Sequence, residues 1–192
     1  ESESNATPGL AAGVNFDAPL TKLGHQQAKS LGERFKNEKV VFNNVFCSTL
    51  TRAIQTTENI FIGMDNPKRK FTKVPEIIEQ QIPGWRGVPT EEAYTSDTMT
   101  YIMEKGKDFV GPDGESIREV QKRATNWLED ELIYNRKLCS TPQSLKVAIV
   151  GHGNTMRSIF HYIMGFDQRL MYKIGVDNTS ISRFIFNSKG WS

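Results

Sequence analysis

Two apolar runs in this chain each end at a chemically loaded turn and then pass directly into a helix-periodic stretch. That alternation limits the fold more than any other feature. Residues 40–47 read as a strand interrupted at Asn43-Asn44, and Leu50, Ala53, Ile54, Thr57 and Phe61 then recur at helical spacing. Residues 145–150 form a short apolar run bounded by Gly151, as a buried strand would, and Met156, Ile159, Phe160 and Ile163 mark the helix after it. Strands alternating with helices predict an α/β layered domain. In such folds ligands bind where loops leave the carboxyl ends of the strands. Weight therefore falls on Cys47-Ser48-Thr49-Leu50-Thr51-Arg52-Ala53 and on Gly151-His152-Gly153-Asn154.

The remaining segments read as follows. Residues 6–19, rich in Pro, Gly, Ala and Asn, form a loop. Thr21 starts a helix with Gly24, Ala28, Leu31 and Phe35 on one face. Residues 63–73 are polar and turn-like, and residues 74–87 are extended but broken by Pro75, Pro83, Gly84 and Gly87. Residues 90–105 are weakly helical, and Gly111-Pro112-Asp113-Gly114 is a turn. Ser116 caps a long helix whose inner face is Ile117, Val120, Ala124, Trp127 and Leu128. Residues 180–186 alternate as a strand does.

The length of 192 residues suits one domain, and 38% hydrophobic with 24% charged residues is a balance that supports one sizeable core. A net charge of +2 argues against a general nucleic-acid coat or a polybasic membrane binder. The one basic cluster, Lys68-Arg69-Lys70 with Lys73, reads as a solvated loop and strand start. Cys47 and Cys139 have neither zinc-site nor redox-pair spacing, which suits a reducing, cytoplasmic setting. No run of about 18 apolar residues marks a membrane span.

The two strand ends carry the chemistry. An imidazole between two glycines is unusual for a core position. Glycines let backbone N–H groups approach a ligand, and the following helix offers its positive end, an arrangement suited to phosphate. Arg52 can hold the same anion with a planar, bidentate fork. Taken alone, His152 reads equally as a structural strand-end residue, and Arg52 as a surface or ion-pair residue.

Longer motifs decide between these readings. The chain opens Glu1-Ser2-Glu3-Ser4-Asn5, followed by Asp17, Pro19, Leu20, Thr21, Gly24, Gln27 and Ala28, and then by Ser48, Leu50, Arg52, Ala53, Gln55 and Thr56. Later come Asp113-Gly114-Glu115-Ser116, Gly151-His152-Gly153-Asn154-Thr155-Met156-Arg157 and Asn178-Thr179. In this order and over residues 1 to about 187, the chain resembles the histidine phosphatase superfamily, in its phosphoglycerate-mutase-like branch. The resemblance implies a three-layer α/β/α sandwich with a mostly parallel central sheet. It also implies that the first strand, with its Arg-His-Gly nucleophile motif, precedes Glu1. The family's mid-chain acidic residue maps onto residues 77–87, where Trp85 and Gly87 set the register and select Glu79; Glu76 is the competitor, and Pro83 stands where the family has glycine.

The resemblance further implies a phosphohistidine intermediate formed by the first histidine. Arg52 and His152 would surround the phosphoryl oxygens, and Glu79 would act as general acid and then general base. Ser2, Asn5, Gly153 and Asn154 would line the phosphate or substrate pocket. No metal or other cofactor is implied. The expected partner is a phosphorylated substrate, with no nucleic acid and no membrane; oligomeric state is left open. His25 and His161 are read as helix residues without a catalytic part. Residues 83–113 form the expected specificity cap. Because the stretch from Glu79 to Gly114 is short and poor in basic residues, a phosphomonoesterase acting on a small metabolite or a phosphoprotein is the leading reading. A phosphoglycerate-type mutase and a non-catalytic binding module are the alternatives.

Overall fold

The computed structural model describes residues 1–6, 9–11, 17–140 and 143–191, with backbone only at Asn5, Cys139, Gln168, Arg169 and Tyr172. Helix α1 (Lys22–Asn37) begins where the sequence places it: Thr21 Oγ1 accepts the Gly24 N–H at 3.0 Å. Strand β1 (Asn44–Ser48) follows, then helix α2 (Thr51–Gly63), the short strand β2 (Thr72–Val74) and helix α3 (Ser96–Lys105). Helix α4 (Ile117–Leu128) starts in a capping box, with Ser116 Oγ accepting from Glu119 N at 3.2 Å and Glu119 Oε2 accepting from Ser116 N at 2.8 Å. Strand β3 (Val147–Val150) and helix α5 (Gly153–Met164) complete the second strand–helix unit. A small hairpin of β4 (Phe186–Asn187) and β5 (Gly190–Trp191) closes the described chain.

The main sheet runs β2-β1-β3, and both pairings are parallel. Period-two alternation along β1 sends successive side chains to opposite faces, and each face has its own core. Val45 packs with Ala28, Ile60 and Phe61 from α1 and α2. Phe46 packs with Val74, Ile77, Ala124, Trp127 and Ile159, on the side of α4 and α5. The result is helices on both faces of a parallel sheet, an α/β/α sandwich. Full burial of a side chain such as Phe61 or Ile77 stabilises by about 1.5–3 kcal/mol relative to exposure. Helices α1 and α2 meet backbone to backbone: a Cβ added at Gly32 would lie 2.1 Å from the Ile60 carbonyl oxygen, and one at Gly63 the same distance from that of Lys29.

Three local readings need correction. The strand expected over 40–47 begins only at Asn44, because Asn43 turns its side chain to β3: Asn43 Oδ1 accepts from Lys146 N at 2.7 Å. Residues 72 and 73, at the end of the stretch read as polar and turn-like, join Val74 of the extended stretch in an edge strand paired in parallel with β1, where the basic cluster is expected to start one. Residues 180–185 form no strand. Their alternation is real, but a strand also needs a hydrogen-bonded neighbour, and among the described residues only Phe186 and Asn187 have one. The edge of β3 away from β1 likewise carries no strand among the described residues; it faces the cavity described next.

Candidate active site

Ser2, Arg52, Glu79, His152, Gly153 and Asn154 line one long cavity that also runs along β3 past apolar residues of both cores, among them Leu31, Phe61, Leu132 and Trp191. These are six of the seven residues singled out from the sequence. The seventh, Asn5, lies in the single helical turn Glu3–Ala6, and its side chain falls outside the described residues. Ser2 is buried and bridges to Leu20.

Arg52 sits in the first turn of α2. Its neighbours explain motif residues to which the sequence assigned no task. Asp17 receives the Thr51 N–H at 2.5 Å and the Thr51 hydroxyl at 2.9 Å, so it caps the helix that carries Arg52. Gln55 Oε1 accepts the Leu20 N–H at 2.7 Å, which ties the entering loop to the same helix. Burial lowers the Arg52 pKa, and the nearby carboxylates of Glu79 and Asp17 oppose that shift. A guanidinium stays charged through such a shift.

His152 is the residue before α5 and is buried. Its Nε2 shares a 2.7 Å hydrogen bond with the buried hydroxyl of Ser48, the last residue of β1. Burial, with the Arg52 and Arg123 cations as smaller contributors, pushes its pKa down to about 3. The free protein therefore holds a neutral imidazole near neutral pH, able to act on a phosphoryl oxygen as a hydrogen-bond donor rather than as a cation.

That shift links folding to pH. The unfolded chain takes up the proton near the ordinary value of 6.5, whereas the folded chain resists it down to about 3. His152 therefore leaves stability intact above pH 6.5 and erodes it as pH falls, by up to about 1.4 kcal/mol per pH unit. Urea melts at pH 7.5, 6 and 5 should show this fall, and His152→Asn should remove that part of it. An identical pH slope in the variant would rule out His152 as its source.

Glu79 points at the same space. Its Oε1 accepts from Gln80 N at 2.8 Å and its Oε2 from Asn154 N at 3.3 Å. The competitor Glu76 is exposed, does not line the cavity, and offers its backbone oxygen to Arg123. Asn154 is oriented from both sides: its Nδ2 donates to Gln80 Oε1 at 3.0 Å, and its Oδ1 accepts from Arg157 Nη1 at 3.3 Å. Gly153 leaves room for that arrangement, since a Cβ there would lie 3.0 Å from Arg157 Nη1 and 3.8 Å from Glu79 Oε2.

Sequence reasoning missed the support of the Glu79 segment. Arg123, in the second turn of α4, donates to the carbonyls of Ile78 at 2.9 Å and Glu79 at 3.3 Å, and pairs with Glu115 at 2.8 Å. Glu115 Oε1 also accepts from Gln81 N at 3.0 Å. An arginine on a polar helix face gives no signal of this on its own; the Asp113-Gly114-Glu115-Ser116 turn was the available clue. Thr179 is a second surprise. It lines the cavity at φ 58°, a left-handed conformation unusual for a β-branched residue.

The other two histidines and Cys47 do not line this cavity. His25 shares a 2.9 Å hydrogen bond with Asn59, His161 shares one of 2.8 Å with Gln121, and neither lines it. Cys47 is buried, and burial raises its thiol pKa to about 11, which makes it a poor nucleophile. No described helix is long and apolar enough to cross a membrane.

The chain matches the family model described as histidine phosphatase superfamily (branch 1) over residues 1–192. It is 25% identical over 154 residues to the phosphoglycerate mutase of Schizosaccharomyces pombe, covering 78% of this chain and 69% of that one. It is 23% identical over 186 residues to the 2,3-bisphosphoglycerate-dependent phosphoglycerate mutase of Bartonella bacilliformis, covering 90% and 88%. Among solved structures, the alpha-ribazole phosphatase of Shigella flexneri superposes with a TM-score of 0.80 at 21% identity, covering 100% of this chain and 89% of that one. An Entamoeba histolytica phosphoserine phosphatase mutant in complex with phosphoserine superposes with a TM-score of 0.77 at 22% identity, with the same coverage. At these identities the structural likeness speaks to the fold.

Proposed function

The chain belongs to the histidine phosphatase superfamily, branch 1, and from that premise we propose that it hydrolyses phosphomonoesters through a phosphohistidine, with Arg52, Glu79 and His152 grouped around the transferring phosphoryl group. The observation that carries this reading is electrostatic. The Arg52 cation feels the Glu79 carboxylate, the His152 imidazole feels Arg52, and all three line one cavity.

In this mechanism the attacking imidazole is that of the family's Arg-His-Gly motif. As its N–P bond forms, the P–O bond to the alcohol breaks, and Glu79 gives its proton to the departing oxygen. Water then attacks phosphorus and gives a proton back to Glu79 while the N–P bond breaks. Arg52 takes up the charge spread over the phosphoryl oxygens, helped by His152 and by backbone N–H groups at the start of α5. Ser48 holds the imidazole of His152 in place, and Gln80 with Arg157 holds Asn154. Residues 83–113 act as the cap that selects the substrate.

The mutase reading has support in the names of the sequence relatives. Against it stands the composition of the cavity wall. The expected cap, residues 83–113, adds one cation, Arg86, to the cavity lining, few for a ligand carrying two phosphates and a carboxylate. Full-length protein offered a panel of phosphomonoesters should release inorganic phosphate without added bisphosphoglycerate. Isomerisation of 3-phosphoglycerate without phosphate release would replace this reading by the mutase, and neither activity would leave the binding module.

A further inference from the structure

The proposed hydrolase site continues into a wall of a different character. Ile82, Trp85, Tyr94, Met99, Ile102 and Phe109 line the same cavity as Arg52 and Glu79. The aromatic members support each other: the Trp85 ring centroid lies 4.8 Å from that of Tyr94 and 5.8 Å from that of Phe109. Tyr101 stands edge-on to Phe109 at 5.9 Å. Such tilted and offset contacts hold rings in fixed positions.

Helix α3 supplies the opposite of what a packed helix supplies. It has no buried residue, although it carries Met99, Tyr101, Ile102 and Met103. Met99 is 43% exposed and Tyr94 38%. Trp85 is buried, at 7% exposure, and Ile82, Ile102 and Phe109 are partly exposed, so Met99 and Tyr94 offer most of the apolar surface that a ligand would gain free energy by covering. Arg86 is the one cation lining this part, beside Trp85, and no lysine lines the cavity among the described residues.

Resting on the phosphomonoesterase reading, we infer that the substrate is a monophosphate ester of an apolar alcohol, aromatic or medium-chain aliphatic, whose carbon skeleton lies on the Ile82, Trp85, Tyr94, Met99, Ile102 and Phe109 wall while its single phosphoryl group meets Arg52. A ligand with a second phosphate or several carboxylates meets apolar surface there instead.

Phosphonates test this without turnover. Titration calorimetry on the full-length protein would compare methyl-, butyl-, hexyl- and benzylphosphonate with 3-phosphoglycerate. Burial of each added methylene should tighten binding roughly three- to fourfold until the wall is covered, so the hexyl compound should bind at least about 30-fold tighter than the methyl one. Met99→Asp, at an exposed position, should sharply reduce that hexyl-to-methyl ratio. A ratio near one in the unaltered protein, or 3-phosphoglycerate binding tighter than hexylphosphonate, would overturn the inference while leaving the phosphate site intact. If not even methylphosphonate and vanadate bind, the phosphate site itself is wrong, and the substrate class falls with it.

Discussion

In full-length protein carrying Glu79→Gln, hydrolysis of an alkyl phosphate is expected to fall by about two to four orders of magnitude, the usual contribution of a positioned acid–base group. Loss on 4-nitrophenyl phosphate should be much smaller. An alkoxide is a poor leaving group and needs a proton as the P–O bond breaks, whereas a nitrophenolate departs without one. The substitution keeps the shape of the side chain. Its amide oxygen can still accept from the backbone N–H of Gln80 or of Asn154, so the segment held by Arg123 and Glu115 should stay in place. The readout is the ratio of kcat/KM values for the two substrates. Equal losses on both would move the acid role elsewhere. No loss on the alkyl ester would remove Glu79 from the chemistry.

Arg52→Ala should lower kcat/KM by about two to three orders of magnitude on every substrate, because a charged donor aimed at the phosphoryl oxygens is lost whatever the alcohol. Arg52→Lys should recover only part, since an ammonium cannot reproduce the two parallel hydrogen bonds of a guanidinium. The fold is expected to survive. Asp17 accepts two bonds from Thr51, and α2 is anchored through its buried residues Ala53, Thr57, Ile60 and Phe61. Kinetics alongside circular dichroism and inorganic-phosphate binding would separate the effects. A loss under about tenfold with intact folding would show that Arg52 does not meet the transferring group.

Some of the site was legible because its chemistry is local in the chain. Glycines around a histidine at a strand end, and an arginine in the first turn of the helix after another strand, form by type and spacing a pattern suited to an anion, and the structure brings both to one cavity. The choice of Glu79 over Glu76 came from the register set by Trp85 and Gly87. In the structure Glu79 lines the cavity, and Glu76 is exposed and does not. What stayed hidden depends on partners far apart in sequence. Ser48 and His152 are 104 residues apart, and Arg123 reaches back 45 residues to the Ile78 carbonyl. The neutral state of His152 is hidden for the same reason: burial and two distant arginines lower its pKa, and none of the three is visible from the residues beside it.

From its sequence alone this chain determined its layered architecture and its helix starts. Apolar period, Thr21 and Ser116 caps, and glycine punctuation act over a few residues and need no tertiary partner to be read. Its family membership follows from the same ordered local motifs. Tertiary structure decided where strands begin and which weak patterns pair: β1 starts only at Asn44, and residues 180–185, despite their alternation, form no strand. It also decided that an exposed apolar helix face, a buried neutral imidazole and a carboxylate beside Arg52 share one cavity. A strand, a pKa and a cavity wall are each properties of neighbours in space, and a chain specifies those only once it has folded.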